Sequence, residues 1–243
     1  MLDTAPKTLA IGNKILSTLP KEEFELIQPH LKTCFFKLGQ IIYNEGDSIN
    51  NVYFPKYGMI SLLSMTQDGH TVEIGYTSEE GMLGLPIILG RNEMPYQAMA
   101  QSKVECFFVE AEIIIKLFGE LKVFHDVTLR YVFALMKQLS QTGVCNNFHK
   151  IETRLCRWLL IMRENSKSDI MQLTHEFLSH MLGVQRTSIG FVAGALQNAG
   201  IIRYTRGKLE ILDIQRLRDC ACECYFIVEE EYSRYLTPQK KNK

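Results

Sequence analysis

The chain has 243 residues, 46% hydrophobic and 22% charged, enough to bury a core in one large domain or two smaller ones, and it reads as an ordinary soluble globular protein. No stretch approaches the roughly 18 uninterrupted apolar residues of a membrane span, and Met1-Leu2-Asp3-Thr4-Ala5-Pro6-Lys7 lacks the apolar core of a signal peptide, so no membrane partner is expected and the expected compartment is the cytoplasm. The 27 basic and 27 acidic residues cancel overall but not locally: residues 146–218 carry 11 Lys and Arg against 6 Asp and Glu, residues 1–145 carry 12 against 16, and residues 219–243 carry 4 against 5. A local basic excess is what a phosphate-binding module needs.

Residues 14–32 predict a short amphipathic helical segment, with Leu19-Pro20 and Lys21-Glu22-Glu23 as a start signal and Phe24, Ile27 and Leu31 at helical spacing. From Cys34 to Val109 the pattern changes to short β-rich runs such as Gln40–Tyr43, Met59–Ser64 and Thr71–Tyr76, punctuated by Gly39, Gly46, Gly58, Gly69 and Gly81. Many short strands with glycine turns predict a β-roll or jelly-roll barrel. Beyond Glu110 the pattern is helical, and Phe124, Val127, Tyr131, Val132, Leu135, Met136 and Leu139 form an apolar stripe wide enough for two surfaces. One face would pack on the barrel, and the other would pair with a second subunit through Val127, Tyr131, Leu135 and Leu139. A helix buried wholly within one chain is the alternative.

After a second amphipathic helix marked by Ile151, Leu155, Trp158, Leu159 and Met162, the segment from Leu173 carries the chemistry. Thr174 is a plausible N-cap for a short helix whose inward residues are Phe177, Leu178 and Met181; Gly183 supplies a tight turn. A second helix over about Gln185–Asn198 turns Ile189, Val192, Ala193 and Leu196 inward and exposes Gln185, Arg186, Thr187 and Ser188 at its start. Polar residues at that position meet base edges when such a helix lies in the major groove. Arg186 is the expected base reader, because a guanidinium bonds guanine O6 and N7 together; Gln185, Ser188 and Thr174 suit phosphate oxygens. Ile201–Thr205, Arg206-Gly207-Lys208 and Leu209–Leu212 predict a β-hairpin, a wing on which Arg203, Arg206 and Lys208 could touch phosphates. The alternatives are an ordinary helical hairpin with a solvated polar end for the helix pair, and a simply solvated charged tip for the wing.

Of the seven cysteines, Cys34, Cys106, Cys145 and Cys156 sit singly in apolar surroundings and read as small core residues. Cys220, Cys222 and Cys224 alternate tightly but lack the second Cys/His pair of structural zinc sites, so no metal is expected. His70, His125, His149, His175 and His180 are scattered and read as surface or hydrogen-bonded residues rather than haem ligands. There is no Gly-rich phosphate loop, no His-Glu-x-x-His and no Gly-x-Ser-x-Gly, so an enzyme is not expected and no residue is assigned a catalytic role.

The order of barrel, long helix and winged helix-turn-helix, with Leu182-Gly183-Val184-Gln185-Arg186-Thr187-Ser188-Ile189-Gly190, resembles the Crp/Fnr family of bacterial regulators from about Leu16 to Leu212. The resemblance implies an α+β chain. Its parts would be a cyclic-nucleotide-binding-like sensory domain over residues 14–122, a dimerisation helix over 123–146, a winged helix-turn-helix over 147–218 and a C-terminal tail over 219–243. It implies double-stranded operator DNA and a second copy of the chain as partners, with RNA polymerase a further candidate. Arg186 matches the family's base-reading arginine, and Thr174, Gln185 and Ser188 match its phosphate-contacting positions. Thr187 and Phe191 stand where many members have Glu and Arg, so the familiar operator is not implied. The phosphate cassette departs too: Gly81-Met82-Leu83-Gly84-Leu85-Pro86 lacks the ribose-binding carboxylate, Met94-Pro95-Tyr96 stands near the expected Arg-Ser pair, and Arg91 is the nearby cation. The expected effector is therefore unknown and not cyclic AMP, with Gly81, Met82, Leu83, Gly84, Arg91 and Tyr96 as the candidate pocket. Fnr-like members carry an N-terminal cysteine cluster, whereas only Cys34 precedes position 106, so neither an iron–sulfur cluster nor haem is expected. A small-ligand-binding regulatory module acting through protein partners is the alternative function.

Overall fold

The computed structural model describes residues 11–237; Met1–Lys7, on which the signal-peptide reading rests, and the last six residues of the 219–243 tail lie outside the described residues. The chain starts with α1 (Lys14–Ser17) and α2 (Lys21–Ile27), followed by a 3-10 turn at Gln28–His30. The single segment expected over 14–32 is broken because Pro20, which has no N–H to donate, takes the N-cap position of α2. Seven strands follow: β1 (Lys32–Phe36), β2 (Ile41–Tyr43), β3 (Asn51–Tyr57), β4 (Ile60–Met65), β5 (Thr71–Thr77), β6 (Gln97–Ala100) and β7 (Val104–Glu110). They form one sheet of order β1-β7-β3 and another of order β2-β6-β4-β5, the two-sheet roll expected from the glycine-punctuated runs. Cys34 lies opposite Cys106, and Tyr53 opposite Phe108, in the antiparallel registers of the first sheet.

The helical half comprises α3 (Ala111–Glu120), α4 (Lys122–Phe148) and α5 (Ile151–Ser166). Then come β8 (Ile170–Gln172), α6 (His175–Leu182), α7 (Arg186–Asn198), β9 (Ile202–Thr205), β10 (Lys208–Ile211), α8 (Ile214–Cys220) and α9 (Cys224–Tyr235). The chain divides into two compact units: one takes residues up to Ile60, Thr77–Met136 and Glu231 onward, and the other takes Ser61–Tyr76 with Lys137–Glu230.

In the first unit Val52, Phe54, Met59, Val104 and Val109 fill the roll and are essentially inaccessible to solvent. The N-terminal turns of α4 close over them, with the Phe124 ring 6.4 Å from that of Phe54. The start of α4 is capped from a distance: the Glu23 carboxylate accepts the backbone N–H groups of Val123 and Phe124 at 2.8 and 2.9 Å, satisfying donors the helix cannot pair itself. Tyr131 is fully buried with its hydroxyl 2.9 Å from Thr77 Oγ1, and burial pushes the phenol up to about 12. A Cβ at Gly81 would stand 2.2 Å from that hydroxyl, so the ring's position requires glycine.

These contacts correct the expected subunit face of α4. Val127 and Tyr131 are 0% exposed and Leu135 5% exposed within the single chain, so these three face the chain's own interior, while Leu139 is half-buried with Cδ2 over Gly75. The large apolar residues that α4 leaves exposed are Leu129, Phe133, Met136, Val144 and Phe148.

In the second unit α5 buries Leu155, Trp158, Leu159 and Met162, and α6, α7 and the sheet β8-β10-β9 build on it. The outer part of the β4–β5 hairpin belongs to this unit: Gln138 accepts the Tyr76 N–H at 2.8 Å, and Val72 reaches the turn at Gly183. Gly183 has φ +60°, and a Cβ there would meet Val72 Cγ2 at 2.9 Å, so both the left-handed backbone and the close approach demand glycine between α6 and α7.

Candidate nucleic-acid interface

Leu173 buries itself and leaves Thr174 in extended backbone, where its hydroxyl accepts the Phe177 N–H at 3.0 Å and caps α6. Acting as acceptor toward the helix leaves the hydroxyl proton to donate outward, as a phosphate contact requires. Leu178 and Met181 pack inward; Gly183 closes the helix, and the chain re-enters α7 at Arg186. Gln185 occupies the N-cap of α7 without a side-chain cap bond, while Arg186 and Thr187 stand exposed in the first turn and Ser188 is half-buried. No acidic residue lies in that turn, so the positive end of the helix and the Arg186 charge act together on an approaching anion.

The wing forms because Arg206 and Gly207, at φ +51° and +80°, make a two-residue turn with both centres left-handed, the geometry that matches the twist of paired strands. It is fixed against the helices by three bonds. Tyr204 N–H donates to Gln197 Oε1 at 2.7 Å, the Tyr204 hydroxyl donates to Leu173 O at 2.5 Å, and Leu173 N–H donates to Gly207 O at 2.7 Å. The Tyr204 ring stacks on His175 at 4.6 Å.

Thr174, His175, Arg186, Tyr204, Arg206 and Gly207 consequently line one open concavity. Three predicted DNA contacts, Thr174, Arg186 and Arg206, are brought together there, with Gln185 next to Arg186 along the chain. Burial pushes the Tyr204 phenol up while the neighbouring Arg186 charge pulls it down. Lys208 starts β10 exposed to solvent. Arg203 differs, because it is paired with Glu210 directly across the wing at 3.1 Å, so its charge is already answered. Phe191 is 81% exposed on the outward face of α7, one turn beyond Thr187. In the sequence, its i+4 spacing from Thr187 is the clue that places it on the same face.

The candidate effector pocket is not assembled in the same way. Met82 and Leu83 are 2% and 1% exposed, Gly81 is occupied by the approach of Tyr131, Tyr96 is half-buried, and Arg91 projects into solvent. The cysteines need a correction too. Cys145 does not stand singly in the core: its sulfur, His149, Cys222 and Cys224 converge into one cluster, so the pair that Cys222 and Cys224 lack in sequence is supplied from the end of α4.

A β-roll, a long helix and a winged helix-turn-helix with Arg186 at the start of the recognition helix define the class of DNA-binding transcription regulators. A family model of the Crp-like helix-turn-helix domain matches residues 153–220, and one of the cyclic nucleotide-binding domain matches residues 33–125. The chain is 20% identical to the cyclic AMP receptor protein of Thermus thermophilus over 211 residues, 86% of this chain and 97% of that protein. It is 24% identical to the global nitrogen regulator of Synechocystis over 200 residues, 77% of this chain and 86% of that protein. Among solved structures, a Crp/Fnr-family transcriptional regulator from Eubacterium rectale shares the fold with a TM-score of 0.68 at 20% identity, covering 83% of this chain and 94% of that one. FixK2 of Bradyrhizobium japonicum shares it with a TM-score of 0.66 at 15% identity, covering 79% and 98%. The chain belongs to the Crp/Fnr family of transcription regulators, whose members are not enzymes. No helix among the described residues is long and apolar enough to cross a membrane.

Proposed function

We propose that this regulator binds a two-half-site operator as a homodimer in the cytoplasm, with Arg186 reading a guanine and Thr174, Gln185, Ser188, Arg206 and Lys208 holding phosphates. The observation that carries the reading is the concavity in which Arg186 and Arg206 flank the capped start of α6, with Arg186 exposed at the positive end of α7. Residues 14–122 serve as the sensory domain, 123–146 as the dimerisation helix, 147–218 as the DNA-binding domain and 219–243 as the tail. RNA polymerase is the proposed protein partner on DNA. Phe191 adds an apolar contact, suited to a thymine methyl, where many relatives place arginine.

Base reading and phosphate anchoring separate by their dependence on sequence and salt. Arg186→Ala is expected to cost about 1–3 kcal/mol on the cognate operator and little on random DNA. Lys208→Ala is expected to weaken binding to all sequences alike and to lower the salt slope by about one unit. Fluorescence anisotropy across a salt series checks both: equal loss on both DNAs for Arg186→Ala would make it a phosphate contact, and no loss on either would place recognition elsewhere.

The effector is proposed to be something other than cyclic AMP, although one relative is named for that ligand. A cyclic nucleotide needs a carboxylate for its ribose and a cation for its buried phosphate. Here Met82 and Met94 are buried apolar groups, and Arg91 is exposed. Calorimetry with cyclic AMP is expected to give no binding heat; micromolar affinity would overturn this part of the proposal.

A further inference from the structure

Four soft donors meet inside the second unit, none of them needed for DNA contact. Cys145 and His149 stand one helical turn apart at the end of α4, and Cys222 and Cys224 bracket the entry to α9. One donor atom from each lies within 4.8 Å of every other. Cys145 Sγ is 3.5 Å from Cys222 Sγ, and Cys224 Sγ is 3.4 Å from His149 Nδ1. A tetrahedral zinc with bonds of about 2.3 Å to sulfur and about 2.0 Å to nitrogen separates its donors by about 3.4–3.8 Å, the spacing of these two pairs. A polynuclear iron–sulfur cluster would hold its thiolates apart by the width of the cluster.

The surroundings point the same way. The other nitrogen of His149, Nε2, lies 3.2 Å from the Glu223 carboxylate, which fixes its proton there and leaves the Nδ1 lone pair facing the sulfurs. That is the carboxylate–histidine arrangement that orients a metal ligand. Gln141 Nε2 donates to Cys224 Sγ at 3.1 Å, an outer bond to a sulfur acceptor. Arg154 and Arg157, each 7% exposed, are within electrostatic reach of the Cys145 and Cys222 sulfurs. Zinc bound by three thiolates and one neutral imidazole carries net negative charge, which two buried guanidinium groups offset.

We propose that Cys145, His149, Cys222 and Cys224 bind a single zinc ion, tetrahedrally, and that the ion staples the segment following the wing to the end of α4. The three thiols lose their protons to solvent on binding, and no electron is transferred. Cys220, two residues from Cys222, takes no part, because it lies outside the donor cluster. The inference is independent of how the chain reads DNA.

The test uses the full chain, purified reduced and without chelator. Elemental analysis is expected to find stoichiometric zinc, and replacement with cobalt(II) is expected to give the absorption of a tetrahedral thiolate site. Cys222→Ser and Cys224→Ser are expected to lose the metal, whereas Cys220→Ser and Cys156→Ser keep it. Glu223→Gln, a change on an exposed side chain that should leave folding intact, is expected to weaken zinc binding about 10–100-fold in a chelator competition. Failure of the reduced chain to take up zinc or cobalt would overturn the site. So would loss of metal in Cys220→Ser to the same degree as in Cys222→Ser, or recovery of iron with acid-labile sulfide.

Discussion

Phe133→Asp is expected to turn the protein into folded monomers and to weaken binding to a two-half-site operator by about 10²–10⁴-fold, the advantage that linking two modules confers. Phe133 and Met136 are each 60% exposed in the single chain, and Leu129, one helical turn before Phe133, is exposed as well. Taking each such side chain out of water stabilises a dimer by about 1.5–3 kcal/mol, whereas an aspartate placed in a two-fold seam faces its own symmetry mate. Leu135→Asp should behave differently, because Leu135 is buried in the chain's own core and a charge there has no partner. Light scattering at micromolar concentration should show a monomer for Phe133→Asp with a thermal transition close to that of the unmodified chain. Leu135→Asp should lose the transition. A Phe133→Asp protein that stays dimeric, or an unmodified chain that is monomeric and still binds its operator tightly, would remove α4 from the interface.

How far the sequence discloses the molecule depends on how local each feature is. The helix-turn-helix is readable because its determinants are short-range: the Thr174 cap, the left-handed Gly183 and the inward spacing of Leu178, Met181, Ile189 and Val192 act within a few turns. The stripe on α4 shows that two apolar surfaces exist but not which is which. The stripe includes Tyr131 and omits Phe133, because only the fold shows that Gly81 and Thr77 receive the Tyr131 hydroxyl while Phe133 is left exposed. The cysteine cluster is hidden for the same reason, since Cys145 and Cys222 are 77 positions apart and only the packing of α4 against the entry to α9 joins them. The resemblance in the barrel reports the backbone path of the phosphate cassette, while the side chains decide whether a cavity is left there. Met82 on that stretch is buried, and the Tyr131 ring of α4 approaches Gly81.

The stability of the protein is expected to fall as pH rises from about 4.5 to about 7, and Glu73→Gln is expected to abolish that part of the dependence. Glu73 lies on β5 between Val72, which packs on the turn at Gly183, and Ile74, and its carboxyl is fully buried. Burial pushes it from the ordinary 4.5 up to about 7, outweighing the Ser61 hydroxyl that donates to it and the smaller pull of Trp158 and Arg157. The sign follows from proton counting. Between the two values the unfolded chain has released the proton and the folded chain retains it, so each rise in pH favours unfolding until the folded carboxyl ionises near 7. The full span corresponds to about 3 kcal/mol. Denaturant unfolding at intervals from pH 4.5 to 8 measures it: the difference between the unmodified chain and Glu73→Gln should change steadily up to about pH 7 and then level off. Glutamine keeps an acceptor for Ser61 but has no proton to lose, so curves that stay parallel over the whole range would mean that Glu73 ionises at its ordinary pH and that solvent reaches it beneath the β4–β5 hairpin.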